Sequence, residues 1–237
     1  MNVVKNLIVN YIKSRKYREN ELIWARNWDD TKKSLLWIQD MPGISPGRWA
    51  VGYNYLYVMT RVLDEINPKS VLDLGLGISS TLISAYMRSV SDSAKHIIVE
   101  HNSDWVEFYT SKHSMSDSSE IVTLPCTEKK YKGKKYMAYE GFSDKIIGNT
   151  FSVISVDGPL GGDVYSRRDI LDVLPQVLEK SFVIIFDDAE RFGERKTIKD
   201  VKQTLKNSGI AYCCNIYRGM KDVYVITSTD YSFLCSL

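Results

Sequence analysis

The sequence predicts an α/β protein: a seven-stranded, mostly parallel sheet with helices on both faces, an antiparallel terminal strand and added N-terminal helices. Three observations predict it. From residue 70 onward, short apolar runs alternate with helical patterns, the order that builds a parallel sheet. The first of those runs, Ser70-Val-Leu-Asp-Leu74, leads into a Gly-x-Gly turn at Gly75 and Gly77, where the backbone turns tightly and approaches a ligand. The last two runs, 210–217 and 222–227, have no helix between them, so one must run against its neighbours.

In chain order, residues 2–18 read as a helix, with Val3, Val4, Leu7, Ile8, Tyr11 and Ile12 at helical spacing and basic residues crowding its end. A second helical stretch, 19–39, carries Trp24, Trp28 and Trp37. Pro42, Gly43, Pro46 and Gly47 make 41–48 a loop, and 49–66 is helical again until Asn67-Pro68 stops it. Strand one (70–74) feeds a helix over 79–89, with Ser79 and Ser80 as its caps. Strand two is 95–100. The next helix starts after Asn102 or Ser103 and carries Trp105, Val106, Phe108 and Tyr109. Strand three is 121–124, and a hairpin turning near Lys132-Gly133 follows over 125–142. Residues 144–149 form a short helix or loop. Strand four is 151–156, a helix runs over 166–180 despite Pro175, and strand five is 182–186. A helix over 194–207 stops at Gly209 before the two closing strands.

The 237 residues fit one domain with a helical appendage, divided here as residues 1–48 and 49–237. Apolar residues make up 44%, enough for a sizeable core, which excludes global disorder. The net charge of +2 is too balanced for nucleic acid to be a main partner. No apolar run approaches membrane-spanning length, and no secretory pattern opens the chain. Cys126, Cys213, Cys214 and Cys235 lack metal-ligand spacing and read as buried free thiols in a reducing cytoplasm.

The segment Asp73-Leu-Gly75-Leu-Gly77 resembles motif I of class I S-adenosylmethionine-dependent methyltransferases, acid-x-Gly-x-Gly. The third glycine of the dinucleotide fingerprint is absent, since Ser79 and Ser80 stand in its place. A Rossmann-like parallel sheet ending in an antiparallel hairpin is also what that family shows, and the resemblance spans residues 44–229. It implies S-adenosylmethionine as cofactor, held by Asp73, Gly75, Gly77, Ser79, Ser80, Glu100 and His101. Glu100 stands at the tip of strand two, 25 residues beyond Gly75, where an acid accepts hydrogen bonds from ribose hydroxyls.

Further acids stand at the tips of strands four and five: Asp157, and the pair Asp187-Asp188. Those strands are neighbours in this fold, so the carboxylates converge. Two carboxylates about 4 Å apart repel by roughly 4 kcal/mol at an effective dielectric of 20. The group therefore needs a proton or a cation, supplied by Arg167, Arg168, Arg191 or a divalent metal. An all-oxygen set suits Mg, Ca or Mn. The pattern is similar to the metal site of cation-dependent O-methyltransferases. The resemblance thus implies Asp157, Asp187 and Asp188 as ligands of Mg or Mn, with Asp157 and Asp187 catalytic. The alternative is a metal-free general base at Asp157 or Asp187; Asp188 as a mere cap of the helix near Glu194 lies too far from it. Val156-Asp-Gly-Pro159 and Tyr165-Ser-Arg167 look like a bacterial group met in glycan and antibiotic pathways, which implies a sugar or related hydroxyl as acceptor.

Of the three histidines, His96, His101 and His113, none stands at the tip of strand four or five. His101 follows Glu100 near the cofactor, and His113 reads as a solvated loop residue, so a histidine base is not expected unless a loop carries His113 across. The run Lys129–Tyr136 packs five lysines into seven residues, either a solvated hairpin tip or a contact for an anionic substrate or acidic membrane. Arg48 and Trp49 precede the helix that leads into strand one, and in related enzymes this segment covers the active site. The N-terminal basic helix docks on its own domain or on a second subunit in a homodimer, with peripheral membrane contact less favoured. Two other classes stay open: a nucleotide- or sugar-binding module without turnover, and a dinucleotide oxidoreductase.

Overall fold

The computed structural model describes residues 2–39, 41, 50–90, 93–162 and 164–237, with side chains from Arg15 onward. The expected loop at 42–48, the apolar face of the first helix, and Arg48 and Trp49 lie outside the described residues.

The helices are α1 (Asn2–Lys32), α2 (Tyr53–Ile66), α3 (Ile78–Met87), α4 (Ser103–Lys112), α5 (Phe142–Ile146), α6 (Ile170–Val173) and α7 (Phe192–Asn207). The strands are β1 (Ser70–Leu74), β2 (Lys95–Glu100), β3 (Ser119–Thr123), β4 (Cys126–Tyr131), β5 (Lys134–Tyr139), β6 (Phe151–Val156), β7 (Leu178–Phe186), β8 (Tyr212–Tyr217) and β9 (Val223–Ser228). Seven strands form one sheet in the order β3-β2-β1-β6-β7-β9-β8, and β4-β5 make a separate hairpin. Strand β9 alone runs antiparallel to its sheet neighbours, β7 and β8; the other pairings are parallel. The order reverses between β1 and β6, and a crevice opens at the carboxyl ends of strands at such a point.

Both faces of the sheet are covered. On one, Val71, Val153, Val183 and Val225 pack under Tyr55, Met59, Leu63, Leu82 and Ile83 of α2 and α3. On the other, Leu72, Leu74, Ile154, Val156 and Phe186 meet Ile170, Ile198, Val201 and Leu205. Burial on both faces is why these strands read as near-continuous apolar runs, broken only by buried polar residues such as Asp73 and Ser155.

Several boundaries differ from expectation. The two N-terminal stretches join into one helix with no glycine or proline to interrupt it, but that helix stops at Lys32, and Leu36–Ile38, with Trp37, form a separate 3-10 turn. Trp28 of α1 is buried against α2 and donates from Nε1 to Thr60 Oγ1 at 3.1 Å. Helix α2 starts at Tyr53, not residue 49. The expected helix over 166–180 shrinks to the single turn of α6. Arg167 is left-handed (φ 54°), and Leu174 before Pro175 is extended (φ −77°, ψ 144°). By residue 178 the chain has joined β7. The four cysteines are free but half-buried, not buried.

Candidate active site

The crevice between β1 and β6 holds a cavity of about 680 Å³. Its floor is a contact between two backbones. Gly75 has φ 106°, and a Cβ there would lie 3.2 Å from the Gly158 nitrogen. A Cβ on Gly158 would fall 2.4 Å from the Tyr139 hydroxyl and 3.1 Å from Gly75 Cα. The second glycine of the turn does a different job. Gly77 is extended and caps α3, and a Cβ there would meet nothing within 4 Å, so its bare backbone leaves the cavity open.

The glycine turn is held from behind and from the side. The Gly77 N–H donates to Ser80 Oγ (3.1 Å), and that hydroxyl donates to the buried Asp73 Oδ2 (2.6 Å). Glu100 Oε2 accepts from the Leu76 N–H (3.0 Å), while Oε1 accepts from the His101 and Asn102 N–H groups (2.8 and 3.0 Å). Gly75, Gly77, Glu100 and His101 all line the cavity. Asp73, Ser79 and Ser80 are buried behind it. Ser79 and Ser80 sit inside α3; Gly77, not either serine, is the N-cap residue.

The sequence alone does not single out one wall of the cavity. Trp105 donates from Nε1 to the Leu76 carbonyl (2.8 Å), its ring is 5.6 Å from that of Phe108, and Tyr109 donates to the Gly77 carbonyl. His113 closes this wall with its ring 4.5 Å from Tyr109; it lines the cavity and is not a solvated loop residue. The signal was present in the sequence as aromatics at 105, 108 and 109 on one turn after Glu100, a spacing that core packing explains equally well.

The acids gather across the cavity from this wall. Asp157, Asp187 and Asp188 each bring an oxygen within 4.8 Å of the other two. Asp157 and Asp188 line the cavity, and Asp187 lies fully buried beside them. Arg167, only 2% exposed, bridges Asp157 Oδ1 (2.9 Å) and Asp188 Oδ2 (2.7 Å). Lys221 Nζ stands 3.4 Å from Asp187 Oδ2 and 3.5 Å from Asp188 Oδ1, and Arg191 reaches Asp188 Oδ2 at 3.0 Å. Arg168 goes elsewhere, to Asp200. Lys221 carries no signal in sequence: it is one of 31 lysines and arginines, and tertiary packing of the β8–β9 turn brings it here.

Burial pushes Asp187 up to about 8, with Asp157 adding repulsion, and burial pushes Asp157 up to about 6 against the pull of Arg167. Burial would lower Lys221, but the three aspartates hold its ammonium above the ordinary lysine range. Asp188 does not cap α7; its oxygens face Arg167, Lys221 and Arg191. A divalent cation fits this donor set. Four acids, counting buried Glu194 at 3.9 Å from Arg167 Nε, surround two enclosed cations and the half-exposed Arg191. Asp187 Oδ1 is buried without a hydrogen-bond partner, and Asp188 Oδ1 has only the Lys221 ammonium at 3.5 Å.

No family model matches the chain, and no curated protein matches it in sequence. Solved structures match in shape. The SAH-bound O-methyltransferase from Bacillus cereus aligns with a TM-score of 0.52 at 12% identity, over 88% of this chain and all of the other. SAH-bound PaMTH1 from Podospora anserina gives 0.52 at 14%, covering 87% and 88%. TomG from Streptomyces achromogenes, solved with SAM, gives 0.50 at 12%, covering 92% and 94%. The chain shares the fold of these methyltransferases. In that fold the cavity between β1 and β6 stands where the sheet order reverses, with the glycine turn on one side and the acids on the other.

Proposed function

We propose that this chain is an S-adenosylmethionine-dependent O-methyltransferase, assisted by a divalent cation and acting on a hydroxyl of a sugar or related small molecule. One observation carries the reading: Glu100, at the tip of β2, and Asp157 with Asp188, at the tips of β6 and β7, line a single cavity with a bare glycine turn between them. The sugar hydroxyl rests on the Asp-Gly-Pro segment after β6 and is the finer part of the proposal.

Each group has a task. Glu100 already accepts three backbone N–H groups, so its carboxylate is fixed in place to accept from ribose hydroxyls. Gly77 leaves room for the donor, and Trp105 and Phe108 offer flat apolar surface to a purine. Asp157, 21% exposed and lining the cavity, takes the proton of the acceptor hydroxyl. The oxygen then bonds to the methyl carbon as the carbon–sulfur bond breaks, and the sulfonium leaves as a neutral thioether. Arg167 and Lys221 keep the carboxylates from repelling one another. A cation held by Asp157, Asp187 and Asp188 would lower the hydroxyl's pKa when bound. Most of the rate gain comes from aligning oxygen, methyl and sulfur.

The second reading dispenses with the cation and leaves a carboxylate to act as base alone, Asp157 rather than the fully buried Asp187. It is favoured by Arg167, Lys221 and Arg191, which already stand against the acids. The test is methyl transfer from labelled S-adenosylmethionine into a panel of sugar and phenol acceptors, with and without a chelator. Activity lost with chelator and restored by Mg or Mn supports the cation. Activity indifferent both to chelator and to Asp188→Asn removes it, and no transfer to any acceptor removes the enzyme.

A further inference from the structure

Beside the acids, the surface alternates cations with rings. Arg191, 46% exposed, contacts Asp188 and lines the cavity; the next residue, Phe192, leaves 53% of its surface open. Lys196 Nζ lies 4.7 Å from the Phe192 ring centre and 5.1 Å from that of Tyr165. Arg168 follows, 5.4 Å from Tyr165 and 3.5 Å from Tyr131, and Lys132 Nζ stands 5.1 Å from Tyr131 at the tip of the β4-β5 hairpin. The strip thus runs without a break from the acid cluster to the lysine-rich hairpin.

Part of it is internal bracing. Tyr165 is 7% exposed, and Arg168 is sandwiched and neutralised by Asp200. Within the lysine run, Lys129 pairs with Asp172 and Lys135 with Glu128. The remainder is unbalanced. Among the described residues, no carboxylate lies within 4.0 Å of Lys132, Lys134 or Lys196. Leu160, 60% exposed, adds apolar surface at the same mouth of the cavity. Bracing by ring contacts alone needs neither an open Phe192 nor ammonium groups left without a carboxylate.

We infer that the acceptor carries an oxyanion, phosphate or carboxylate, held at Lys196 while its ring lies against Phe192 and its hydroxyl reaches Asp157, with Lys132 at the far end of the strip adding to the field that attracts it. The inference rests on the methyl-transfer reading, which is what places an acceptor at the acids. Uncompensated cations beside an apolar shelf select a ligand with an anionic group next to a ring, and they raise the capture rate of such a ligand.

The test titrates pyrophosphate and, separately, glucuronate into the full chain at low and at moderate salt by calorimetry, with SAH titrated into the same samples. At least one anion is expected to bind and to weaken with salt. In Lys132→Glu/Lys196→Glu the binding should fall about tenfold or more while SAH still binds. Stronger pyrophosphate binding assigns a phosphate group; stronger glucuronate binding assigns a carboxylate. Should the double variant not fold, Lys196→Gln alone is expected to weaken binding about threefold. No binding of either anion, or equal binding to wild type and variant, overturns the inference while leaving SAH binding to speak for the reaction. Failure of SAH to bind the wild type overturns the methyl-transfer reading and the acceptor assignment with it.

Discussion

Asp187 has no solvent exposure, and burial raises its pKa to about 8. The folded chain therefore binds a proton there that the unfolded chain releases at ordinary carboxyl pH. A raised folded pKa stabilises fully below the unfolded value and loses that contribution as pH climbs through the folded one. Melting temperature without metal should thus fall between about pH 4 and pH 8, and Asp187→Asn should flatten that slope. Mg or Mn competes with the proton, so the melting shift it produces should grow from pH 6 to pH 8. A shift independent of pH would contradict the assignment. Arg167 gives a second residue-scale prediction. It is the enclosed partner of Asp157 and Asp188, and its loss strands buried charge. Arg167→Ala should cost about 3–5 kcal/mol in chemical denaturation. Glu100→Ala should weaken SAH binding about a hundredfold, since it removes a charged acceptor and frees the Leu76, His101 and Asn102 amides.

At the scale of elements, the tips of β1 and β6 touch through glycines. Gly158→Ala would drive a methyl into the Tyr139 hydroxyl and the Gly75 backbone. It should destabilise by about 1–3 kcal/mol and weaken SAH binding, a result calorimetry and thermal melting read together. The strands and their terminal acids were legible in sequence for one reason. A strand buried on both faces is a near-continuous apolar run, so a carboxylate at its end marks the point where the chain leaves the core, as at Glu100 and Asp157, whereas Asp73 stays buried inside β1. The stretch 166–180 was not legible, because its apolar spacing stays helical while a left-handed Arg167 and Pro175 break the backbone. Lys221 and the aromatic wall of α4 were not legible either. Their roles come from neighbours far away in sequence, and residue type alone does not separate them from surface lysines and core aromatics.

For the molecule as a whole, α1 ties the β8–β9 turn to the start of α2. Glu21 accepts from the Tyr53 N–H (2.7 Å) and the Met220 N–H (3.0 Å), and Asn54 donates to the carbonyls of Tyr217 (2.8 Å) and Lys221 (2.7 Å). Trp24 donates to the Arg218 carbonyl at 2.8 Å. The long N-terminal helix thus fixes the turn that delivers Lys221 to the acids. Trp28→Ala should cost about 3–5 kcal/mol, measured by denaturation. Glu21→Ala should leave the fold intact and lower turnover more than SAH affinity, because it loosens the acceptor side alone. An equal loss in both would contradict this division of labour. The most direct measurement of the central claim is a crystal structure of the full chain with SAH and Mn. The account predicts ribose hydroxyls on Glu100, the sulfur turned toward Asp157, and the metal among Asp157, Asp187 and Asp188. SAH bound away from the glycine turn, or its sulfur turned from the aspartates, would contradict it.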